Sequence, residues 1–168
     1  MKYVKTLGYV LAADILSLFI GMTLASSSST LMRLVSAVCT LGILICLLAS
    51  FAFKTARDDL RNERSTGTKT KTIVPVSMGI TASLPAVVNW IVLYISHSSG
   101  SFDYYKWHKI ISAYFLQICN FIDPDASTSA LSGSEVMMML PLTVIPFLAF
   151  VISYTLAYKG IISESEGK

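Results

Sequence analysis

Apolar positions run in four long, nearly uninterrupted blocks, at residues 4–25, 34–53, 73–95 and 136–158, and the polar residues collect between them. A helix needs about 20 mostly apolar residues to cross a hydrocarbon core about 30 Å thick, and every block meets that length. The pattern predicts an all-α polytopic membrane protein, with four transmembrane helices in an antiparallel bundle that forms a single integral membrane domain. The first connection is short enough to force a hairpin between the first two spans. The second, around "RDDLRNER", is strongly hydrophilic and can prolong the second helix. The third, residues 96–135, is long enough to carry structure of its own.

Within that third connection Trp107, Ile111, Tyr114, Phe115, Ile118, Phe121 and Ile122 recur at helical spacing, while Lys106, Lys109, Gln117 and Asn120 fall mainly on the other side. An amphipathic interfacial helix over residues 104–122 is therefore expected, lying on the outer membrane surface or packing across the mouth of the bundle. Asp123-Pro124-Asp125 ends it, because proline has no N–H for the helical ladder and disfavours helix in the residue before it. Ser134 is placed to cap the fourth span, with Glu135 in its first turn.

Composition agrees with this reading. With 54% hydrophobic and 14% charged residues and a mean hydropathy of +0.64, the chain of 168 residues has too little polar surface to cover a soluble domain. The net charge is only +3 and forms no basic stripe, so nucleic acid is not expected as a partner. The placement of Lys and Arg sets orientation. With the N-terminus inside, Lys2, Lys5, Lys54, Arg57, Arg61, Arg64, Lys69, Lys71, Lys159 and Lys168 are cytoplasmic, and only Arg33, Lys106 and Lys109 are outside. Both termini are thus expected in the cytoplasm, with the protein in the cell membrane. The first apolar block is longer than the roughly 7–15 residues of a signal-peptide core, so a retained span is expected.

Between helices in lipid, close backbone approach by small residues marks contact surfaces. Ala13, Ser17, Gly21 and Ala25 form such a seam on the first span. Cys39, Gly42 and Cys46 offer one on the second, Gly79, Ala82, Ser83 and Ala86 on the third, and Thr143, Pro146, Ser153 and Ala157 on the fourth. Pro85, Pro141 and Pro146 are expected to kink their helices and to free the carbonyls of Thr81, Met137 and Leu142.

One residue breaks the apolar rule. Asp14 lies about ten residues into the first span, roughly 15 Å deep at about 1.5 Å per residue, near the midplane, where a charge costs at least about 2.5 kcal/mol. It sits beside Ser17 on the small-residue seam, so it should face protein. No Lys or Arg lies at that depth, which leaves Thr81, Ser83, Asn89 and the proline-freed carbonyls as partners for an intramembrane polar site.

Other chemistry is sparse. Cys39, Cys46 and Cys119 form no C-x-x-C pair, and the first two read as small core residues too far apart to bridge. Met137, Met138 and Met139 point about 100° apart and cannot converge on one ion. His97 and His108 match no metal spacing and are expected to be solvated or interfacial. The chain holds no H-E-x-x-H, no G-x-S-x-G and no phosphate-cradling glycine loop. No catalytic residue, metal or cofactor is expected. The sequence predicts a non-enzymatic accessory or assembly subunit that associates with the bilayer and packs with copies of itself or a larger membrane protein. The alternative is a small oligomeric transporter or channel in which Asp14 couples protons or cations.

Overall fold

The computed structural model describes residues 2–25, 29–68 and 73–166, with the side chains of Ala25 and residues 161–166 outside the description. Lys69, Lys71 and Lys168, counted above for orientation, also lie outside the described residues. Every regular element among the described residues is a helix. Four helical segments are long and apolar enough to cross a membrane, so the fold is the four-helix membrane bundle that the apolar blocks predict.

The first span is α1, Lys2–Ala25, and the second is α2, Thr30–Thr66. With 37 residues α2 is about 55 Å long at about 1.5 Å per residue, far more than hydrocarbon requires. Its last turns, where Arg57, Asp58, Asp59, Arg61, Asn62, Glu63 and Arg64 follow one another, form a stem beyond the apolar part. Gly67 stops the stem in the left-handed conformation, φ 69°, with its N–H donated to the Glu63 carbonyl at 2.8 Å, the closure glycine adopts most readily. The third span is α3, Ile73–Ser99, continuous through Pro85.

The fourth span is composite. It consists of α6, Gly133–Met139, a 3-10 stretch Leu140–Val144, and α7, Ile145–Glu166. Pro141 opens the 3-10 stretch and Pro146 sits in the first turn of α7, where a missing N–H costs little. The cap of α6 is Ser132 and not Ser134. Glu135 is three residues beyond Ser132, so the two exchange bonds in a capping box, Ser132 N–H to Glu135 Oε2 at 2.7 Å and Glu135 N–H to Ser132 Oγ at 3.4 Å.

Around the bundle the order is α1, α2, α7, α3, and the α1–α3 side is the loosest. The reason is the third connection. It forms α4, Tyr105–Ile111, a 3-10 turn Ala113–Phe115, and α5, Leu116–Ile122. These make a helical hairpin whose tip packs against α1 and α2, and Tyr105, Tyr114, Phe115 and Cys119 belong to the same buried cluster as Val10, Ala13, Leu44 and Ala86. The single amphipathic helix expected over 104–122 is thus broken at Ser112, and the segment enters the bundle. Its two faces are also mixed: Trp107, Ile111 and Phe121 are exposed while Tyr114 and Phe115 are buried, and His108, Lys109 and Gln117 are buried while Lys106 is exposed.

A second cluster, Phe51, Ala52, Ala56, Met78, Phe150, Tyr154 and Ala157, fills the half of the bundle nearer the termini. Along the spans the outer surface is largely apolar: Val4, Phe19, Val38, Ile80 and Leu156 are exposed, as on helices solvated by lipid.

Candidate functional site

A helical hairpin inside a membrane bundle creates a physical problem at each of its ends. Every helix end leaves backbone N–H or C=O groups without an intrahelical partner, and at membrane depth such groups must be satisfied by protein. Neither α4 nor α5 has a side-chain cap from the residue that precedes it. Each end is closed by a side chain from another segment.

At the start of α4, the N–H groups of Tyr104 and Tyr105 donate to Thr128 Oγ1, at 2.9 and 3.0 Å. That hydroxyl donates in turn to Asp103 Oδ1 at 2.8 Å, which also accepts the Thr128 N–H at 2.8 Å. These two bonds hold the Asp103 carboxyl below its ordinary pKa. At the end of α4, Asn89 Nδ2 donates to the His108 carbonyl at 3.0 Å and to Ser112 Oγ at 2.8 Å, while Asn89 Oδ1 accepts from the Tyr104 hydroxyl at 2.8 Å. At the end of α5, the Lys109 ammonium donates to the carbonyls of Asp123, at 2.9 Å, and Asp125, and lies 4.2 Å from the centroid of the Tyr105 ring. The Tyr105 hydroxyl donates to the Cys119 carbonyl at 3.2 Å and, at 3.0 Å, to the Asp123 carbonyl that Lys109 also reaches.

The remaining end explains Asp14. Once the chain breaks at Ser112, Ala113 N–H has lost its helical acceptor, and it donates to Asp14 Oδ1 at 2.6 Å. The Tyr114 N–H also faces this carboxyl group. Asp14 is the N-cap of the hairpin's second limb, supplied by a different helix, and the helix dipole reinforces the interaction.

The other residues grouped with Asp14 in the sequence serve separate contacts. Ser17 is fully buried with its hydroxyl 3.5 Å from the Thr40 carbonyl, one helix over. Thr81 bonds within its own helix to Ser77 O at 2.9 Å. Ser83 Oγ accepts the Phe147 N–H at 2.9 Å, in the first turn of α7. The structure therefore does not gather Asp14, Ser17, Thr81, Ser83 and Asn89 into one polar pocket.

Nor do the carbonyls freed by Pro141 and Pro146 serve Asp14. Tightening to 3-10 geometry gives Met137 O to the Leu140 N–H and Leu142 O to the Ile145 N–H. The unpaired acceptor moves to Val136 O, and Trp90 Nε1 donates to it at 2.9 Å. Sequence reasoning missed Trp90; its signal was an indole N–H within an apolar span, five residues from the span's end at Ile95.

The small-residue positions divide. Ala13 is fully buried, and a Cβ on Gly21 would sit 3.1 Å from Leu116 of the hairpin. A Cβ on Gly79 would lie 2.6 Å from Val151 and 2.9 Å from Phe147, so glycine is what lets α3 and α7 approach. Ala25 ends α1, and its side chain is outside the described part. Gly42 has nothing nearby, and Cys39 and Cys46 are exposed instead of lying in the core. The buried stripe of α2 is Ala37, Thr40, Leu44, Leu48 and Phe51, on the opposite side.

Two further groupings were not legible as such. Asp59, in the charged stem, is buried, paired with Lys2 and bonded by the Tyr154 hydroxyl at 3.0 Å. One turn on, the Tyr158 hydroxyl lies 2.8 and 2.9 Å from the two Glu63 oxygens. His108, expected to be solvated or interfacial, is buried, its Nδ1 3.4 Å from the Asn89 carbonyl. Among the described residues no cluster of three or more His, Cys, Asp or Glu is placed to hold a metal ion.

Between α1 and α3, where the bundle is loosest, a lateral groove of ≈ 600 Å³ runs to Asp14 beneath the hairpin. Comparison with models of protein families, with curated proteins and with solved structures finds no match to this chain.

Proposed function

We propose that this small integral membrane protein is a non-enzymatic accessory or assembly subunit, resident in the cell membrane with both termini in the cytoplasm, that packs with a second copy or a larger membrane protein. The observation that carries the proposal is the outward face of α2. Cys39, Gly42 and Cys46 make the kind of smooth surface that lets membrane helices meet closely, and among the described residues nothing lies within 4 Å of a Cβ placed at Gly42 and both cysteines are exposed.

Two features support the reading. The midspan polar groups Asp14, Asn89 and Ser83 are engaged in holding backbone breaks together, which is what a rigid subunit needs of them. The stem of α2 turns Asp59 and Glu63 toward Lys2 and the tyrosines of α7 and leaves Lys54, Arg57, Arg61 and Arg64 exposed. A basic face just beyond the apolar core suits the cytoplasmic side.

Oxidative cross-linking in native membranes tests the proposal, because Cys39 and Cys46 report directly on that face. A disulfide-linked dimer, or a native-gel complex well above 18.3 kDa that Gly42→Leu dissociates, is the expected result. A monomer under both assays, unchanged by Gly42→Leu, overturns it. One observation favours a second reading, transport: Asp14 is only half-buried and lines a groove open toward lipid. A proton- or ion-binding step near neutral pH that vanishes in Asp14→Asn would support that reading over the first.

A further inference from the structure

A pocket of ≈ 200 Å³ lies between α1 and α2 near the start of α1, lined by Lys2, Lys5 and Tyr9 from α1 and by Phe51, Lys54 and Asp58 from α2. Each set recurs at the three- and four-residue spacing that puts side chains on one face of a helix, so two polar-tipped faces meet across it. The Tyr9 and Phe51 rings stack with centroids 4.6 Å apart and form its apolar floor. Lys5 and Lys54 stand about one helical turn, roughly 5 Å, outward of those rings. They are also where the apolar runs stop: no charged residue intervenes between Lys5 and Asp14, or between Arg33 and Lys54. Both ammonium groups therefore reach the level at which hydrocarbon gives way to lipid headgroups. Their charges are not used within the chain. Lys2 pairs with Asp59, whereas Lys5 and Lys54 are exposed and form no ion pair among the described residues. Asp58 opposes one of the two ammonium groups, and a single positive charge is left over.

We propose that this pocket holds the phosphodiester headgroup of an anionic membrane lipid, its oxygens between Lys5 and Lys54 and its acyl chains in the surrounding bilayer. The chemistry of the lining selects that class. A lysine ammonium donates and never accepts, and a phosphodiester offers only acceptor oxygens and one negative charge, which matches the charge left over. A choline headgroup would bring a second positive charge to a rim that is already positive. The volume is below the roughly 300–1,000 Å³ of sites that enclose a whole small molecule, so the pocket takes a headgroup and leaves the chains outside. A soluble phosphate ester presents the same oxygens but lacks chains to hold it at this depth. Basic pockets between helices at the membrane surface bind lipid headgroups in this way. The inference rests on the chain being in a bilayer and is independent of the accessory role, whose test reads a different face of α2.

The test uses the full chain in nanodiscs of mixed phosphatidylcholine and phosphatidylglycerol, with native mass spectrometry reading which lipid stays bound after release into detergent. Retention of phosphatidylglycerol over phosphatidylcholine by about tenfold is expected, corresponding to about 1.4 kcal/mol. Lys5→Gln combined with Lys54→Gln should abolish that preference, and, since neither lysine is paired, thermal stability in pure phosphatidylcholine should match the parent's. Lys5→Arg combined with Lys54→Arg should keep the preference. Arg57→Gln combined with Arg64→Gln removes the same charge from exposed positions that do not line the pocket and should leave the preference intact. An equal loss in the two glutamine pairs would mean diffuse attraction to a basic surface, and displacement by millimolar glycerol 3-phosphate would mean a site for soluble phosphate esters. Either result overturns the proposal, as does equal retention of the two lipids by the parent.

Discussion

The two halves of the bundle are fastened by different means. Near the termini α1, α2 and α7 are unbroken, and polar side chains bond to each other: Lys2 to Asp59, Asp59 to Tyr154, Glu63 to Tyr158. In the half that holds the hairpin, polar side chains bond to main chain, with Asp14 on Ala113 N–H, Asn89 on His108 O, Thr128 on Tyr104 and Tyr105 N–H, and Trp90 on Val136 O. An intact helix satisfies its own backbone, which leaves its side chains free to pair across the bundle. A broken one must borrow partners, and in lipid water cannot lend them. Side-chain fastening is therefore replaceable, whereas backbone fastening is not.

Asp14→Ala should break the hairpin half most severely, since Ala113 N–H then has no acceptor. A loss of about 2–3 kcal/mol is expected, read by denaturant titration in detergent micelles. Asp14→Asn keeps an acceptor oxygen and should retain at least half of that stability. If the two variants lost the same amount, charge and not capping would be the cause, and the contrast between the halves would fail.

Packing gives the next largest effect. Gly79→Val drives a branched side chain into Val151 and Phe147 and should cost about 1–3 kcal/mol. Gly42→Val, which meets nothing within this chain, should stay within about 0.5 kcal/mol in the isolated protein. A smaller pair sharpens the comparison directly. Trp90→Phe leaves Val136 O unpaired and should cost about 1 kcal/mol or more, while Tyr154→Phe leaves Asp59 still paired with Lys2 and should cost about 0.5 kcal/mol. The reverse order would remove the distinction between backbone and side-chain fastening.

The smallest effect is one of pH. Because Thr128 holds the Asp103 carboxyl below its ordinary value, the folded state binds fewer protons there than the unfolded chain does. The resulting stability is complete above about pH 4, the unfolded aspartate value, and is lost as the pH falls through the lower folded value. The protection of the Tyr104 and Tyr105 amides, taken as exchange relative to the intrinsic rate at each pH, should therefore fall on acidification in the parent, and Asp103→Asn should flatten that dependence.

The four spans were readable because lipid imposes long uniform apolar runs, and few other structures produce them. The depth of Asp14 was readable for the same reason. Its partner was not, because a main-chain N–H carries no residue label and is exposed only by a break at Ser112, where neither glycine nor proline marks the sequence. The hairpin's faces were read as if water lay outside. In the actual setting Trp107, Ile111 and Phe121 turn outward, while Lys109, Gln117 and His108 turn inward, Lys109 onto the Asp123 and Asp125 carbonyls and His108 toward that of Asn89. The same inversion holds for Cys39 and Cys46, whose small size suggested an interior that the chain does not itself supply. Asp59 was masked by its neighbours, since a buried acid in a run of charges has no signature until the helix across from it is known.

The bond from Ala113 to Asp14 joins positions 99 residues apart, and this separation dictates a sequence of events during synthesis. Helix α1 is threaded into the membrane long before the segment it will cap leaves the ribosome. Until then its carboxylate must wait in lipid or in the insertion machinery, and the nascent hairpin, which enters and leaves the bundle from one side, cannot be delivered as a span. It folds in only after its neighbours have assembled, so protease protection of the loop in pulse-labelled cells should lag behind integration of α3.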